Sequence, residues 1–216
     1  MNVLTKDIRA YIILTALVIC GLACSIVTAP KVVHWGINFP FSNLVFSIFT
    51  YPIVDCICEL WGKKAARQTV LIGLGSQLLI SLLIYFSIVI PHADYWTLQT
   101  EYQTILSVSG LVVLSSLLAF GISQLLDIFI YQRIKEACAG KWLWLRSNTS
   151  IFLGQIVDSS IFVLLVFHAS DHKFNILLGS IIVKIVLAIL MTPVIYCIVL
   201  FVNHYLEGNT LAFKGK

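Results

Sequence analysis

The feature that most constrains this chain is a set of six long apolar stretches joined by short polar connections. Each is long enough to supply the 17 to 25 residues that a helix needs to cross the hydrocarbon core of a bilayer. A helix satisfies its own backbone hydrogen bonds, so it is the structure expected where water is absent. The predicted spans are residues 11–29, 39–58, 69–90, 105–131, 149–168 and 174–205.

Composition supports a membrane protein without a separate soluble domain. Hydrophobic residues make up 59% of the chain and charged residues 11%. Soluble domains are usually about 45–50% apolar and about 25% charged. We therefore expect an all-α integral membrane protein, with residues 1–216 forming a single bundle of six transmembrane helices.

Lysine and arginine residues fall mainly on one side of the predicted membrane. Eleven of the 14 lie before the first span, after the last, or in the second-to-third and fourth-to-fifth connections. Lys31 and Lys173 lie on the opposite side, and Lys184 lies within the sixth span. Cytoplasmic loops are enriched in such cations, which predicts a multi-pass membrane protein with both termini in the cytoplasm. This topology explains the net charge of +4, so no nucleic-acid partner is expected.

One group of polar residues lies near the middle of the predicted membrane. Asp158 and Lys184 each lie about 15 Å from the start of their spans, at 1.5 Å per helical residue, so we expect them to meet. Gln155 is one turn from Asp158, and Gln77 has a similar depth. An intramembrane charge is costly unless it is paired or faces a wet cavity. The alternatives are a ligand site and a salt bridge that only fixes helix register.

A second group of polar residues follows one face of the second span towards the cytoplasm. Its members, which recur every four residues, are Asn43, Ser47, Tyr51, Asp55 and Glu59. Pro40 and Pro52 predict that this helix is broken or partly unwound. Aromatic rings suited to stacking on a flat ligand lie nearby at Phe39, Phe41, Tyr51 and Trp35.

The fourth span ends in a polar pair, Gln124 and Asp127, at a depth similar to that of Asp55 and Glu59. The cations expected to pair with this cytoplasmic layer are Arg67, Arg133 and Arg146. Such groups either anchor or gate the helix ends or contact a ligand, and the sequence leaves both alternatives open.

The predicted site residues suit a small, planar, hydrogen-bonding solute. A carboxylate accepts two adjacent N–H donors, and an amide both donates and accepts. Metal-protease and hydrolase motifs are lacking, so we expect neither an enzyme nor a metal or other cofactor. No phosphate-binding Gly-x-x-x-x-Gly-Lys motif is present, so the chain is not expected to use ATP by itself.

Several motifs in order resemble the queuosine precursor transporter family, of the vitamin-uptake type. They cover nearly the whole chain: Phe39-Pro40-Phe41, Asp55, Glu59, Trp61-Gly62, Ala65-Ala66-Arg67, Gln124-Leu125-Leu126-Asp127, Tyr131-Gln132-Arg133-Ile134-Lys135, Leu143-Trp144-Leu145-Arg146, Asn148-Thr149-Ser150, Gln155-x-x-Asp158 and Lys184.

The resemblance implies an inner-membrane importer of 7-deazaguanine bases, such as preQ0 or preQ1, or of queuine, for tRNA modification. It also implies a fold similar to that of the substrate-binding subunits of energy-coupling-factor vitamin transporters. The alternative function is that of a substrate-binding subunit within an ATP-driven transport complex of this kind. The transported base, the energy source and the assembly, whether a homodimer or a coupling-factor complex in the membrane lipid, are left open.

Overall fold

The computed structural model describes residues 6–28, 31–34, 36–106, 110–166 and 173–207. In chain order, their elements are α1 (Lys6–Thr28), β1 (Val32–His34), β2 (Asn38–Pro40), α2 (Ser42–Val45), a π-helical turn (Phe46–Thr50), α3 (Tyr51–Val89), α4 (Gln99–Leu106), α5 (Gly110–Ala137), α6 (Leu143–Val166) and α7 (Lys173–Glu207). The expectation of a helical membrane protein is confirmed. Five helical stretches in the described residues are long and apolar enough to span a bilayer: Lys6–Thr28, Ser42–Val89, Val113–Ala137, Leu143–Val166 and Lys173–Leu206.

The second and third predicted spans lie in one continuous helical stretch that folds back on itself at Gly62. Gly62 has φ 81° and ψ 179°, which is not a helical conformation. It separates a first arm of α3 (residues 51–61) from a second arm (residues 63–89). Glycine suits this position because backbone in this region is closed to almost every other residue.

Contacts with α1 show the change of direction. Thr50, just before the first arm, lies against Gly21 of α1, and Trp61 at its end lies against Tyr11, with ring centroids 5.7 Å apart. The first arm is therefore antiparallel to α1.

The second arm returns along the same helix. The Tyr11 hydroxyl donates to the Ala65 carbonyl at 3.2 Å, and Gly73, two turns further on, packs against Leu22. The second arm is therefore parallel to α1, and the two arms of α3 lie antiparallel to each other.

A short β-hairpin, which the sequence analysis does not anticipate, precedes α2. Strands β1 and β2 pair antiparallel with Val33 opposite Phe39, and Gly36 in the turn has φ 74°. Residues 39 and 40, predicted to begin a membrane span, belong instead to β2. The hairpin packs beside α7, and Phe39 is buried.

The predicted irregularity of the second span is a π-helical turn, Phe46–Thr50, directly before α3. Pro52 lies in the first turn of α3 and has no N–H to donate to the Ile48 carbonyl. The widened turn accommodates this missing bond, so the helix continues and its polar face rotates.

The predicted span 105–131 overlaps two helices, α4 and α5, and residues 107–109 between them lie outside the described residues. Gln99–Leu106 forms α4, a short helix held against the end of α3 by a 2.8 Å hydrogen bond between Ser87 and Tyr102. None of the residues of α4 is buried, so this helix lies at the surface of the protein.

We expect Gly62→Ala to destabilise the protein by about 1–3 kcal/mol, because alanine is strained in this backbone conformation. Gly75→Ala is the matched control: Gly75 lies within the helical second arm, and a Cβ there meets no heavy atom within 4 Å. Alanine at position 75 should be neutral or stabilise by up to about 1 kcal/mol. Thermal unfolding of the purified variants in detergent measures both effects, and equal stability of the two would contradict the strained reversal.

Candidate functional site

A buried polar core runs through the contact region of α3, α5, α6 and α7. Helices α5 and α6 are antiparallel and approach closely at Gly154, where an added Cβ would lie 3.4 Å from the Cβ of Asp127 and from the Ser123 carbonyl oxygen. Glycine at this position allows the two polar faces to meet. Three layers of polar contacts follow one another along this interface.

The layer nearest the α5–α6 connection is centred on Glu59. One of its carboxylate oxygens lies 2.7 Å from Arg146 Nη2 and 2.9 Å from Lys135 Nζ, and it accepts a 2.9 Å hydrogen bond from Tyr131. Arg146 is only 2% exposed, so its charge depends on this carboxylate. These four side chains form the Glu59 cluster.

The remaining donors of Arg146 bind the turn between α5 and α6 and the Tyr131 hydroxyl. Its Nη1 donates to the carbonyl oxygens of Gly140 at 2.6 Å and Lys141 at 3.2 Å, and its Nε donates to the Tyr131 hydroxyl. Gly140 has φ 76°, so the turn presents its carbonyls to the guanidinium. Arg146 therefore ties the connection of two helices to a third.

Two other predicted cations lie elsewhere. Arg67 and Arg133 are exposed, and neither makes an ion pair with a carboxylate in the described part of the chain. Arg133 lies over the Phe129 ring at 5.2 Å. The sequence analysis missed Lys135, although its four-residue spacing from Tyr131 places the two on one face of α5.

The next layer contains a pair of carboxylates, Asp55 of α3 and Asp127 of α5, each 1% exposed. The two side chains face each other within hydrogen-bonding range. Asp55 accepts a hydrogen bond from Ser147 of α6. The sequence analysis missed Ser147, but counting helical turns back from Asp158 would place it on the same face of α6.

The central layer confirms that Asp158 and Lys184 meet. Lys184 Nζ binds one oxygen of Asp158 and lies 3.3 Å from Ser159 Oγ. The other oxygen of Asp158 has a weak contact with Ser123 Oγ at 3.5 Å. Tyr51 interacts with Asp158 from the α3 side.

Gln155 and Gln77, both expected at this depth, have different neighbours. Gln155 lies beside Tyr51 in the central layer. Gln77 is on the second arm of α3, where its Nε2 donates to Ser116 of α5 at 3.4 Å. The structure thus brings Gln155 close to Asp158 and gives Gln77 a separate partner.

Several buried polar atoms of the core have no hydrogen-bond partner among the described residues. These are Asn43 Nδ2, Ser47 Oγ, Thr50 Oγ1, both amide atoms of Gln124, both oxygens of Asp127 and Gln155 Oε1, with Gln77 Oε1, Ser115 Oγ and Gln132 Oε1 in addition. Buried polar groups in proteins are nearly always hydrogen-bonded, because each unsatisfied one costs about 1–3 kcal/mol. Most of this set lies on α2, the π-helical turn, α5 and α6, and can bind a polar solute.

The aromatic candidates are distributed unequally. Tyr51 is 2% exposed and touches the polar core, whereas the ring of Phe41 faces Lys31 at 5.8 Å. Phe39 is buried in β2, and Trp35 lies outside the described residues. Among residues that the structure describes, no three His, Cys, Asp or Glu side chains are grouped as a metal site requires.

Comparison with known proteins gives the family. Residues 40–198 match the family described as "Putative vitamin uptake transporter". A Bacillus subtilis (strain 168) protein named "Probable queuosine precursor transporter" is 26% identical over 166 residues, 75% of this chain and 72% of that protein.

A Haemophilus influenzae (strain ATCC 51907 / DSM 11121 / KW20 / Rd) protein of the same name is 23% identical over 141 residues, 65% of this chain and 54% of that protein. No solved structure gives a significant match. The family match covers well over half of the chain and includes the first arm of α3 together with α5 and α6, which carry the polar core. The chain is therefore a multi-pass membrane transporter that belongs to the vitamin uptake transporter family, as its sequence motifs indicated.

Proposed function

We propose that this protein imports queuosine precursors, 7-deazaguanine bases such as preQ0 and preQ1 or the base queuine, across the cytoplasmic membrane. The observation that carries the proposal is the set of polar atoms that are buried inside an apolar helical bundle and have no hydrogen-bond partner among the described residues. Two relatives named as queuosine precursor transporters support the choice of ligand.

The chemistry of the core suits a guanine-like edge. Such a base presents a ring N–H beside an exocyclic amine, and one carboxylate can accept both hydrogen bonds. Asp158 has an oxygen whose contact with Ser123 is long, and Gln155 has an oxygen without a partner among the described residues. Tyr51 interacts with both, and in this proposal its aromatic ring, which packs against Phe46, also stacks on the base. In this proposal, these three side chains hold the base and Lys184 holds Asp158 in position.

We also propose that the chain crosses the membrane six times, with both termini in the cytoplasm. The stretch Ser42–Val89 has 48 residues, and at 1.5 Å per residue a straight helix of that length would measure about 72 Å, more than twice the hydrocarbon thickness. The reversal at Gly62 makes it two crossings. The cationic residues Lys63 and Lys64 at the reversal then lie on the cytoplasmic side.

The transport function is tested by uptake into proteoliposomes that contain the purified protein alone. Labelled preQ1 should enter, and unlabelled preQ0, preQ1 or queuine should compete better than guanine. Uptake that appears only when an ATP-hydrolysing partner is reconstituted as well would favour the substrate-binding-subunit alternative. Absence of both binding and uptake of all these bases would contradict the proposal.

A second prediction separates base binding by Asp158 from simple pairing with Lys184. Asp158→Asn alone leaves a buried lysine without its counter-ion, so loss of function in it is ambiguous. The double variant Asp158→Asn/Lys184→Met removes both charges. We expect the double variant to fold and to bind the base at least about tenfold more weakly, as measured by calorimetry in detergent, because the base loses a charge-assisted pair of hydrogen bonds.

The control for this variant is Asp94→Asn, which changes an exposed carboxylate in a loop and should bind normally. Wild-type affinity in the double variant would mean that Asp158 serves only to hold Lys184.

The topology is tested by cysteine labelling from outside intact cells. In a variant without native cysteines, a cysteine at Tyr95, which is 87% exposed, should react with an impermeant maleimide. A cysteine at Lys64 should react only after permeabilisation. Labelling of both positions in intact cells would overturn the six-crossing arrangement.

A further inference from the structure

Asp55 and Asp127 form a pair of buried carboxylates that have too few hydrogen-bond donors around them. Both are 1% exposed and face each other. Ser147 donates its hydroxyl proton to Asp55, and the neighbouring Ser150 donates to the Ser147 carbonyl at 3.2 Å. Ser150 also lies beside Asp127, but its single hydroxyl proton is directed to the Ser147 carbonyl, so neither oxygen of Asp127 accepts a hydrogen bond from the described residues. One further donor is therefore required between the carboxylates.

The cations of the polar core cannot supply it. Arg146 directs its donors to Glu59, Tyr131 and the carbonyls of the α5–α6 turn. Lys135 also binds Glu59, and Lys184 binds Asp158. The other titratable side chains facing the pair are Tyr51, Cys56 and Cys58 of α3 and Tyr131 of α5, which are neutral groups near neutral pH.

The charge balance of the core leads to the same conclusion. Asp158 and Lys184 cancel, and the Glu59 cluster carries one excess positive charge. Two ionised aspartates would leave the core with one net negative charge, whereas a single proton on the pair makes it neutral. Two carboxylates in contact at low dielectric do not both ionise.

A second buried polar side chain points to ligand binding here. Gln124, 0% exposed, lies three residues before Asp127 on α5 and shares its helix face. Both of its amide atoms are without partners in the described part of the chain. Tyr51, which we assign to the base site, also interacts with Asp127, so the carboxylate pair lies beside that site.

We propose that Asp55 and Asp127 hold one shared proton, and that release and reloading of this proton couple import of the base to the proton gradient. The proton binds to one Asp127 or Asp55 oxygen and is hydrogen-bonded by the other carboxylate. It enters from the outer side with the base and leaves to the cytoplasm. The coupling step rests on the proposed import function, whereas the shared proton does not.

Infrared spectroscopy of the purified protein near neutral pH tests the shared proton without any substrate. The wild type should show a protonated carboxyl C=O band that shifts in D₂O. The double variant Asp55→Asn/Asp127→Asn should lose it, while Asp94→Asn should keep it. A wild type without the band, or a folded double variant that retains it, overturns the proposal.

If the double variant does not fold, the single variants decide. Removing either carboxylate should abolish or shift the band, because each contributes to the environment of the proton. A band that is unchanged in both single variants overturns the assignment to this pair.

Transport into proteoliposomes tests the coupling. With the membrane potential clamped at zero and one proton moved per base, an inward gradient of one pH unit should support about tenfold accumulation. Asp55→Asn, which removes the other carboxylate of the pair, should equilibrate the base without accumulating it. Wild-type uptake that is indifferent to the gradient overturns the coupling.

The outcomes for the two proposals remain distinct. A protein that binds no queuosine precursor contradicts the proposed import function, and the infrared result then decides the proton site by itself. A protein that binds and equilibrates the base without a response to pH contradicts only the coupling.

Discussion

The cost of placing charged and polar groups inside an apolar bundle governs this structure. Arg146 is almost fully buried, and its charge is acceptable because Glu59, Tyr131 and two backbone carbonyls surround it. Its contacts fix the positions of α3, α5 and α6 relative to one another. Removing a partner from such a group is expensive, so these helices remain in a single register.

Glycine residues and irregular helical backbone allow these helices to pack with polar side chains between them. Gly62 reverses α3, so that the polar first arm and the apolar second arm both pack on α1. Gly154 lets α5 and α6 approach closely at Asp127. The π-helical turn before Pro52 changes the direction of the polar face at the position where Ser47 and Thr50 are buried. Each of these three features places polar side chains inside the bundle.

Hydrogen bonding in the polar core is nearly complete at the Glu59 cluster and becomes incomplete towards the layers of Asp127 and Asp158. At the Glu59 cluster, nearly every donor and acceptor has a partner, whereas around Asp127, Gln124 and Gln155 many have none among the described residues. A fully bonded layer is rigid and suits closure of one end. A partly bonded layer suits exchange of a polar solute or a proton. This division agrees with membership of a transporter family.

The sequence by itself determined the helical membrane class and the meeting of Asp158 with Lys184, because hydrophobic length and helical rise are local properties. Its motifs also indicated the family. Tertiary structure decided that a hairpin forms at Val33 and Phe39, and that Lys135, and neither Arg67 nor Arg133, pairs with Glu59. It also decided the facing of Asp55 and Asp127 and the bond from Ser147. These depend on the rotation and closeness of helices distant in sequence, which local periodicity does not encode.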